Sequence, residues 1–246
     1  MDLAAQVVDY VANGESKGKF WAQNRNSDHQ GLSYGIIQWS QRSGALGKLL
    51  AQMRGANPAT FAQIFGPGAD DLVRTTTSPD EATRMSLPLW QEPWTSRFTA
   101  AGHIRTFQIV QDEAAVTGAS MQAALDLADL FELHTERALV LFFDRANHHG
   151  GYGAKKLATS FLAKFPGSLH EDPHELLADF AAWCAAPYRR TSAPTQVVVS
   201  GGKSWKQVGN EWHLFAGNAD LYAIIARRTG EILEDPALSD EPVENA

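Results

Sequence analysis

Apolar residues recur at helical spacing along almost the whole chain, and this limits the fold more than any other feature. Leu3, Val7, Val8 and Val11 share one face of a first helix, with Asp2 as its cap and Asn13-Gly14 as its expected stop. Leu46, Leu49, Leu50 and Met53 mark a second helix, and Asn57-Pro58 opens a third with Asn as cap and Pro at the first helical position. Ser78-Pro79-Asp80-Glu81 reads as a capping box. From about Thr95 to Phe165 the pattern continues, most clearly from Thr135 through Leu139, Phe142 and Phe143 to an expected loop at Asn147–Gly151. Asp172-Pro173 starts a helix carrying Leu176, Leu177, Phe180 and Trp183, and Asn218 to Arg228 is the last.

Strand signals are few. Leu32 to Trp39 reads as a short strand, and Gln196–Val199 and Glu211–Phe215 are expected to pair across Gly201-Gly202. The expected class is therefore mainly α (α+β), two-lobed, with a small β-hairpin or sheet near residues 31–39. Residues 1–233 are read as one domain and 234–246 as an acidic, disordered tail.

Composition narrows the functional classes. Of 246 residues, 44% are hydrophobic and 20% charged, as in ordinary globular chains. The net charge is −7, yet Glu231–Ala246 alone holds Glu231, Glu234, Asp235, Asp240, Glu241 and Glu244 with no Lys or Arg. The remainder is nearly neutral, which gives no electrostatic case for nucleic acid or an anionic membrane. No apolar run reaches the roughly 20 residues of a membrane span. The N-terminus lacks a basic cluster and a long apolar core, so a secretory signal is not expected. Cys184, the single cysteine, lies in an apolar helix and reads as a core residue.

The segment Gly14–Ser43 carries the chemistry. Glu15 stands where the first helix ends, with Phe20 and Trp21 close in sequence, while Asp28 lies in the polar stretch Asn24–Gly31. Glycoside hydrolysis uses two carboxyl groups in unlike environments, one protonated acid beside apolar groups and one ionised group in a hydrated loop. Spacing alone leaves both residues equally open to structural roles. Asp9, Asp70, Asp71 and Asp144 stay open as alternative second carboxylates. Tyr34, Trp21 and Trp39 are aromatic candidates for stacking on sugar, with core packing expected for at least one. Asn147 and His148, in the expected loop, are candidates for a far cleft wall.

Two resemblances bear on this choice. Glu15-Ser16 followed by Tyr34-Gly35-Ile36-Ile37-Gln38 resembles goose-type lysozymes and related lytic transglycosylases, and Gln38-Trp39-Ser40-Gln41-Arg42-Ser43 extends the likeness. Asp28-x-x-Gly31-x-x-x-Gly35-Ile36-Ile37 resembles family 46 chitosanases of the same lysozyme-like superfamily. Together they cover about thirty residues. They imply Glu15 as general acid and Asp28 as general base, with Tyr34, Gly35, Ile37, Gln38 and Ser40 lining the sugar site. The aspartate that goose-type enzymes carry just after the Gln is missing, Trp39 and Ser40 standing there instead. The Glu15-to-Asp28 spacing is also shorter than in the chitosanases.

The expected activity is hydrolysis of a β-1,4-linked amino-sugar polymer without metal or cofactor, with inversion and a carboxyl separation of about 6.5–9.5 Å. Peptidoglycan is the first reading, on the strength of Gln38, and chitosan the second. A lytic transglycosylase and a non-catalytic glycan-binding module of a phage or secretion machine complete the set. A wall hydrolase made in the cytoplasm would need delivery, as a phage lysin or an injected effector, and in the latter case an immunity protein. His170-Glu171-Asp172-Pro173-His174 has the letters of a zincin motif, but Pro173 breaks the helix that motif needs.

Overall fold

The computed structural model describes residues 2–27, 30–170, 172–185, 197–200, 203–208, 211–215 and 221–243. They form two compact units, Met1–Gly118 and Ala119–Ala246. No helix among them is long and apolar enough to cross a membrane.

The first unit runs α1 (Leu3–Ser16), β1 (Gln23–Arg25), β2 (Leu32–Tyr34), β3 (Trp39–Ser40), α2 (Ala45–Ala56), α3 (Pro58–Phe65), a 3-10 turn, α4 (Ala69–Thr76), α5 (Glu81–Met85), α6 (Trp94–Gly102) and α7 (Arg105–Val116). The expected faces are the buried ones: Val7, Val8 and Val11 in α1, and Leu46, Leu49, Leu50 and Met53 in α2. Asn57 caps α3 as read, its side chain accepting from Thr60 N at 3.1 Å. At α5 the cap is Asp80 rather than Ser78. Its carboxylate accepts from Thr83 N at 2.7 Å, while Ser78 Oγ accepts from Asp80 N.

Two boundaries differ from the sequence reading. Asn13-Gly14 does not stop α1, because the chain turns left-handed only at Lys17 (φ 55°) and Gly18 (φ 65°). Their N–H groups return to Asn13 and Ala12 carbonyls and close the helix end. Leu32–Trp39 is not one strand but two strands and a turn. Tyr34 pairs with Trp39 across Gly35–Gln38, and β1 flanks the other edge in the order β1-β2-β3, all antiparallel. All three β2 residues are buried, so the middle strand is covered on both faces.

The core of this unit is a run of rings. Tyr34 meets Phe98 at 4.9 Å between centroids, Phe98 meets Phe65 at 5.3 Å, Phe65 meets Phe61 at 4.6 Å and Phe61 meets Phe107 at 6.2 Å. The chain of contacts ties the sheet to α6, α3 and α7 through offset and edge geometries, which aromatic quadrupoles favour.

The second unit contains α8 (Ala119–Phe131), α9 (Glu136–Lys164), a 3-10 turn at Ser168–His170, α10 (Pro173–Ala185), β4 (Val197–Ser200), β5 (Lys203–Val208), β6 (Glu211–Phe215) and α11 (Leu221–Glu234). Phe131, Phe142, Phe161 and Phe180 cluster between α8, α9 and α10. Cys184 is buried there, as expected of a core residue, and burial pushes its thiol up to about 12. Val197–Ser200 and Glu211–Phe215 do not pair directly, because β5 lies between them in the order β4-β5-β6. Gln196, Gly201, Gly202 and residues 218–220 lie outside the described residues.

The expected loop at Asn147–Gly151 is also absent. Helix α9 continues through it with a kink at Gly150 (φ 71°, ψ 152°), a conformation suited to glycine. Nor is 234–243 disordered. Val243 N donates to His134 O at 2.8 Å, and Thr135 bridges Pro242. A carboxylate-rich composition suggests disorder but does not see a buried cation waiting for it. Residues 244–246 lie outside the described residues.

Two glycines of α2 give opposite expectations. A Cβ at Gly47 would stand 2.2 Å from the Thr76 carbonyl oxygen of α4, whereas one at Gly55 meets nothing within 4 Å. Gly47→Ala should destabilise the first unit by more than about 1–3 kcal/mol through overpacking against backbone. Gly55→Ala should stabilise it by up to about 1 kcal/mol through helix propensity. Urea unfolding of the two variants checks the sign of each change.

Candidate active site

Glu15 lies in the last turn of α1, half-buried, beside Ser16, whose hydroxyl is buried and donates to Ala12 O at 3.0 Å. Because the helix extends past Asn13-Gly14, the carboxylate is carried by rigid helix rather than by a frayed end. The chain then turns through Lys19–Ala22, with Lys19 N donating to Ser16 O and Ala22 N to Lys19 O.

That turn is fastened to the β2–β3 turn at two points. Ala22 O accepts from Gly35 N at 2.9 Å and from the Gln38 amide at 3.3 Å. The second fastening is Gln111 of α7, fully buried. Its Nε2 donates to Phe20 O at 3.0 Å, and its Oε1 accepts from Ile36 N at 3.1 Å. Gln41 plays the same part at the far end of the sheet, accepting from Leu32 N and donating to Arg84 O and Leu87 O. The sequence reading names Gln41 only within the run Gln38-Trp39-Ser40-Gln41-Arg42-Ser43 and does not name Gln111, although Gln111 follows Phe107 and Val110 on the inward face of α7, where a polar residue stands out.

These contacts revise the roles inferred for the glycine-led run. Gly35 has φ +84°, and a Cβ there would stand 2.3 Å from Gln111 Oε1 and 2.9 Å from the Trp39 ring. The glycine is required by its own protein neighbours. Tyr34 has no exposed surface and packs on Phe98, so it is the aromatic that serves the core and cannot stack on sugar. Burial pushes its phenol well above the ordinary range. Ile37 is buried. The Gln38 amide nitrogen is committed to Gly35 O at 2.8 Å and to Ala22 O, holding Gln38 at φ 59°. Ser40 Oγ donates to Gln30 O at 3.4 Å. Trp39 is half-buried against the core. Trp21 stacks on His103 with centroids 4.2 Å apart, and Gly102 admits its backbone where a Cβ would not fit.

Asp28 lies outside the described residues. Of the alternatives to it, Asp70 pairs with Arg54 and Asp71 with Arg74, both at the surface. Asp9 is exposed on α1. Burial together with Asp9 raises the carboxyl of Asp112 on α7.

The other candidates belong to the second unit. Asp144 is buried and locked between Arg145 and Arg228, which removes it from the set of hydrated carboxylates. Asn147 and His148 sit on α9 and not on a loop. Burial, then Arg145 and His149, lower His148 to about 4, and His149 is lowered likewise. In the zincin-like run, His170 ends a 3-10 turn and His174 lies in the first turn of α10 with Nε2 on Leu233 O at 3.0 Å. Glu171 lies outside the described residues. No group of three metal-ligating side chains occurs among the described residues.

Comparison places the fold. No family model matches the chain, and no curated protein resembles it. Among solved structures it resembles a family 46 chitosanase of Gynuella sunshinyii in complex with chitotetraose, at 16% identity and a TM-score of 0.60 over 94% of this chain and 84% of that one. It also resembles native Bacillus subtilis chitosanase (16%, TM-score 0.57, 77% and 78% of the two chains) and a second chitosanase complex (14%, 0.58, 96% and 91%). The chain therefore has the mainly α, lysozyme-like chitosanase fold. The likeness to goose-type enzymes rests on the sequence run alone.

Two expectations follow. Gln111→Leu keeps the volume but strands the Ile36 N–H and the Phe20 carbonyl, at about 1–3 kcal/mol for each group. Chemical denaturation should therefore show a loss of roughly 2–6 kcal/mol. The second concerns pH. A histidine whose folded pKa is depressed stays neutral in the native state while the unfolded chain takes up a proton. Its contribution is present above about 6.5 and is lost as pH falls toward about 4. His148→Gln should flatten the pH dependence of second-unit unfolding in that window, and an unchanged slope would contradict the assignment.

Proposed function

We propose that this protein is a glycoside hydrolase that cleaves a β-1,4-linked amino-sugar polymer, with Glu15 as the general acid. The carrying observation is the setting of Glu15: a half-buried carboxyl on the last turn of α1, followed at once by the corner that Ala22 and Gln111 tie to the β-turn. Catalytic groups need support that holds them within a fraction of an ångström, and a helix end braced by buried hydrogen bonds supplies it.

In this reading Glu15 donates its proton to the glycosidic oxygen as the bond to the anomeric carbon breaks. Asp28 accepts a proton from water attacking the opposite face, and the product has inverted configuration. A polymer of glucosamine is the first substrate. The chitosanase neighbours match over most of both chains, one of them with chitotetraose bound. The feature that leaned toward peptidoglycan, the Gln38 amide, has its nitrogen committed to the turn.

Peptidoglycan is the second reading, supported by the Glu15-Ser16 and Gly35–Gln38 likeness. In that reading the protein is a phage lysin or an antibacterial effector, the latter paired with an immunity protein.

Glu15→Gln preserves shape and removes the proton. It should lower the rate of reducing-end release by about 10²–10⁴-fold, the usual worth of general acid catalysis, on whichever of chitosan or purified sacculi the wild type cleaves. A variant as fast as wild type would refute the role of Glu15. A wild type that binds both polymers and cleaves neither would favour the glycan-binding module.

A further inference from the structure

Helix α11 ends without a glycine cap. Its last carbonyls are met instead by a side chain from another helix, Arg137 in the first turn of α9. The Arg137 guanidinium is almost wholly buried. Nη1 donates to Ile232 O at 2.7 Å, Leu233 O at 2.9 Å and Asp235 O at 3.0 Å, Nη2 to Leu238 O at 2.7 Å, and Nε to the Asp240 carboxylate at 2.8 Å. Backbone contacts complete the closure: Arg137 N to Ser239 O at 3.1 Å and Val243 N to His134 O at 2.8 Å, with Ser239 N on the Glu136 carboxylate at 3.2 Å.

We propose that residues 234–243 are a clasp closed on Arg137, and that this clasp fixes the C-terminal end of α11 and so holds Arg228 against Asp144. Arginine is the residue this job needs. It stays charged at any relevant pH and presents five N–H donors in a rigid plane, whereas lysine offers three from one point. Four of the five acceptors are carbonyls: Ile232 O and Leu233 O belong to α11 itself, while Asp235 O, Leu238 O and the Asp240 carboxylate reach Arg137 because the chain folds back after Glu234. Among the described residues Asp240 supplies the countercharge, and it is half exposed, so the ionic part of the closure is open to screening by salt.

The second anchor explains what the clasp is for. Asp144 lies seven residues after Arg137 on α9, about two helical turns along. It is buried, and its partners are Arg145 beside it and Arg228 of α11. Helix α11 is thus pinned to α9 by Arg228 on Asp144 and by Arg137 on the Ile232 and Leu233 carbonyls. Releasing the second lets the end of α11 fray within one turn of the first. Within the segment that reads as a disordered tail, the Asp240 carboxylate meets Arg137, and backbone carbonyls make the other contacts.

Hydrogen exchange on three variants of the full protein, followed by mass spectrometry, tests this. The variants are Arg137→Lys, Asp240→Asn, and a chain ended at Glu234. In Arg137→Lys and the shortened chain, the amides of residues 225–233 should exchange at least about tenfold faster, while those of residues 123–131 in α8 keep their protection. Asp240→Asn keeps the fold and should give a smaller increase of the same kind, one that raising salt reproduces in the wild type. Unchanged protection of 225–233 in the shortened chain would overturn the proposal. So would equal loss in α8 and α11, which would make the contact a general stabiliser. Should Arg137→Lys fail to fold, the shortened chain and Asp240→Asn decide the matter by the same criteria.

Discussion

Gln111 carries two backbone groups that would otherwise be stranded in the first unit, the Ile36 N–H and the Phe20 carbonyl. A buried peptide group without a partner costs far more than a made hydrogen bond contributes, so the amide decides where the β-turn and the post-α1 turn sit. Neighbouring sequence choices follow from it. Residue 35 must be glycine because Oε1 of this amide occupies the space of a Cβ. Gln38 can hold a left-handed backbone because its own amide reaches back to Gly35 O and Ala22 O. Glu15, four residues before the Lys19 turn, inherits this rigidity, and the proposed chemistry depends on it.

The second unit is governed by buried charge. Asp144, Arg145 and Arg137 all lie on α9 among fully buried leucines and phenylalanines, an environment that admits ions only when they are matched. Asp144 meets two guanidiniums, and Arg137 meets Asp240 with four carbonyls. Burial, reinforced by the Arg145 charge, lowers His148 and His149 to about 4, which ties the stability of this unit to the acid range.

Periodicity made the helices legible because burial of Val7, Leu49 or Phe142 is a local, repeating consequence of helical geometry. The boundaries were less so. Asn13-Gly14 is a sound stop signal, yet the helix runs on through buried Ser16 to the left-handed pair Lys17 and Gly18, and Gly150 signals a kink as readily as a loop. The hairpin was legible as a β element but not as two strands, since its turn depends on a glutamine of α7 that lies 75 residues beyond Ile36. Glu15 was legible through motif and helix end. Gly35 and Tyr34 stand in the motif, but their protein surroundings were not legible: the Gln111 amide fills the space of a Cβ at Gly35, and Phe98 packs on Tyr34. Arg137 was invisible for a related reason: its partners lie in a stretch whose composition, taken alone, reads as tail.

The most direct measurement is digestion of a glucosamine hexamer in ¹⁸O-labelled water, with products read by mass spectrometry. The account predicts shorter glucosamine oligomers, each new reducing end carrying one ¹⁸O. An intact hexamer alongside intact sacculi would contradict the assignment of a glycosidase, and cleavage to unlabelled anhydro ends would contradict attack by water.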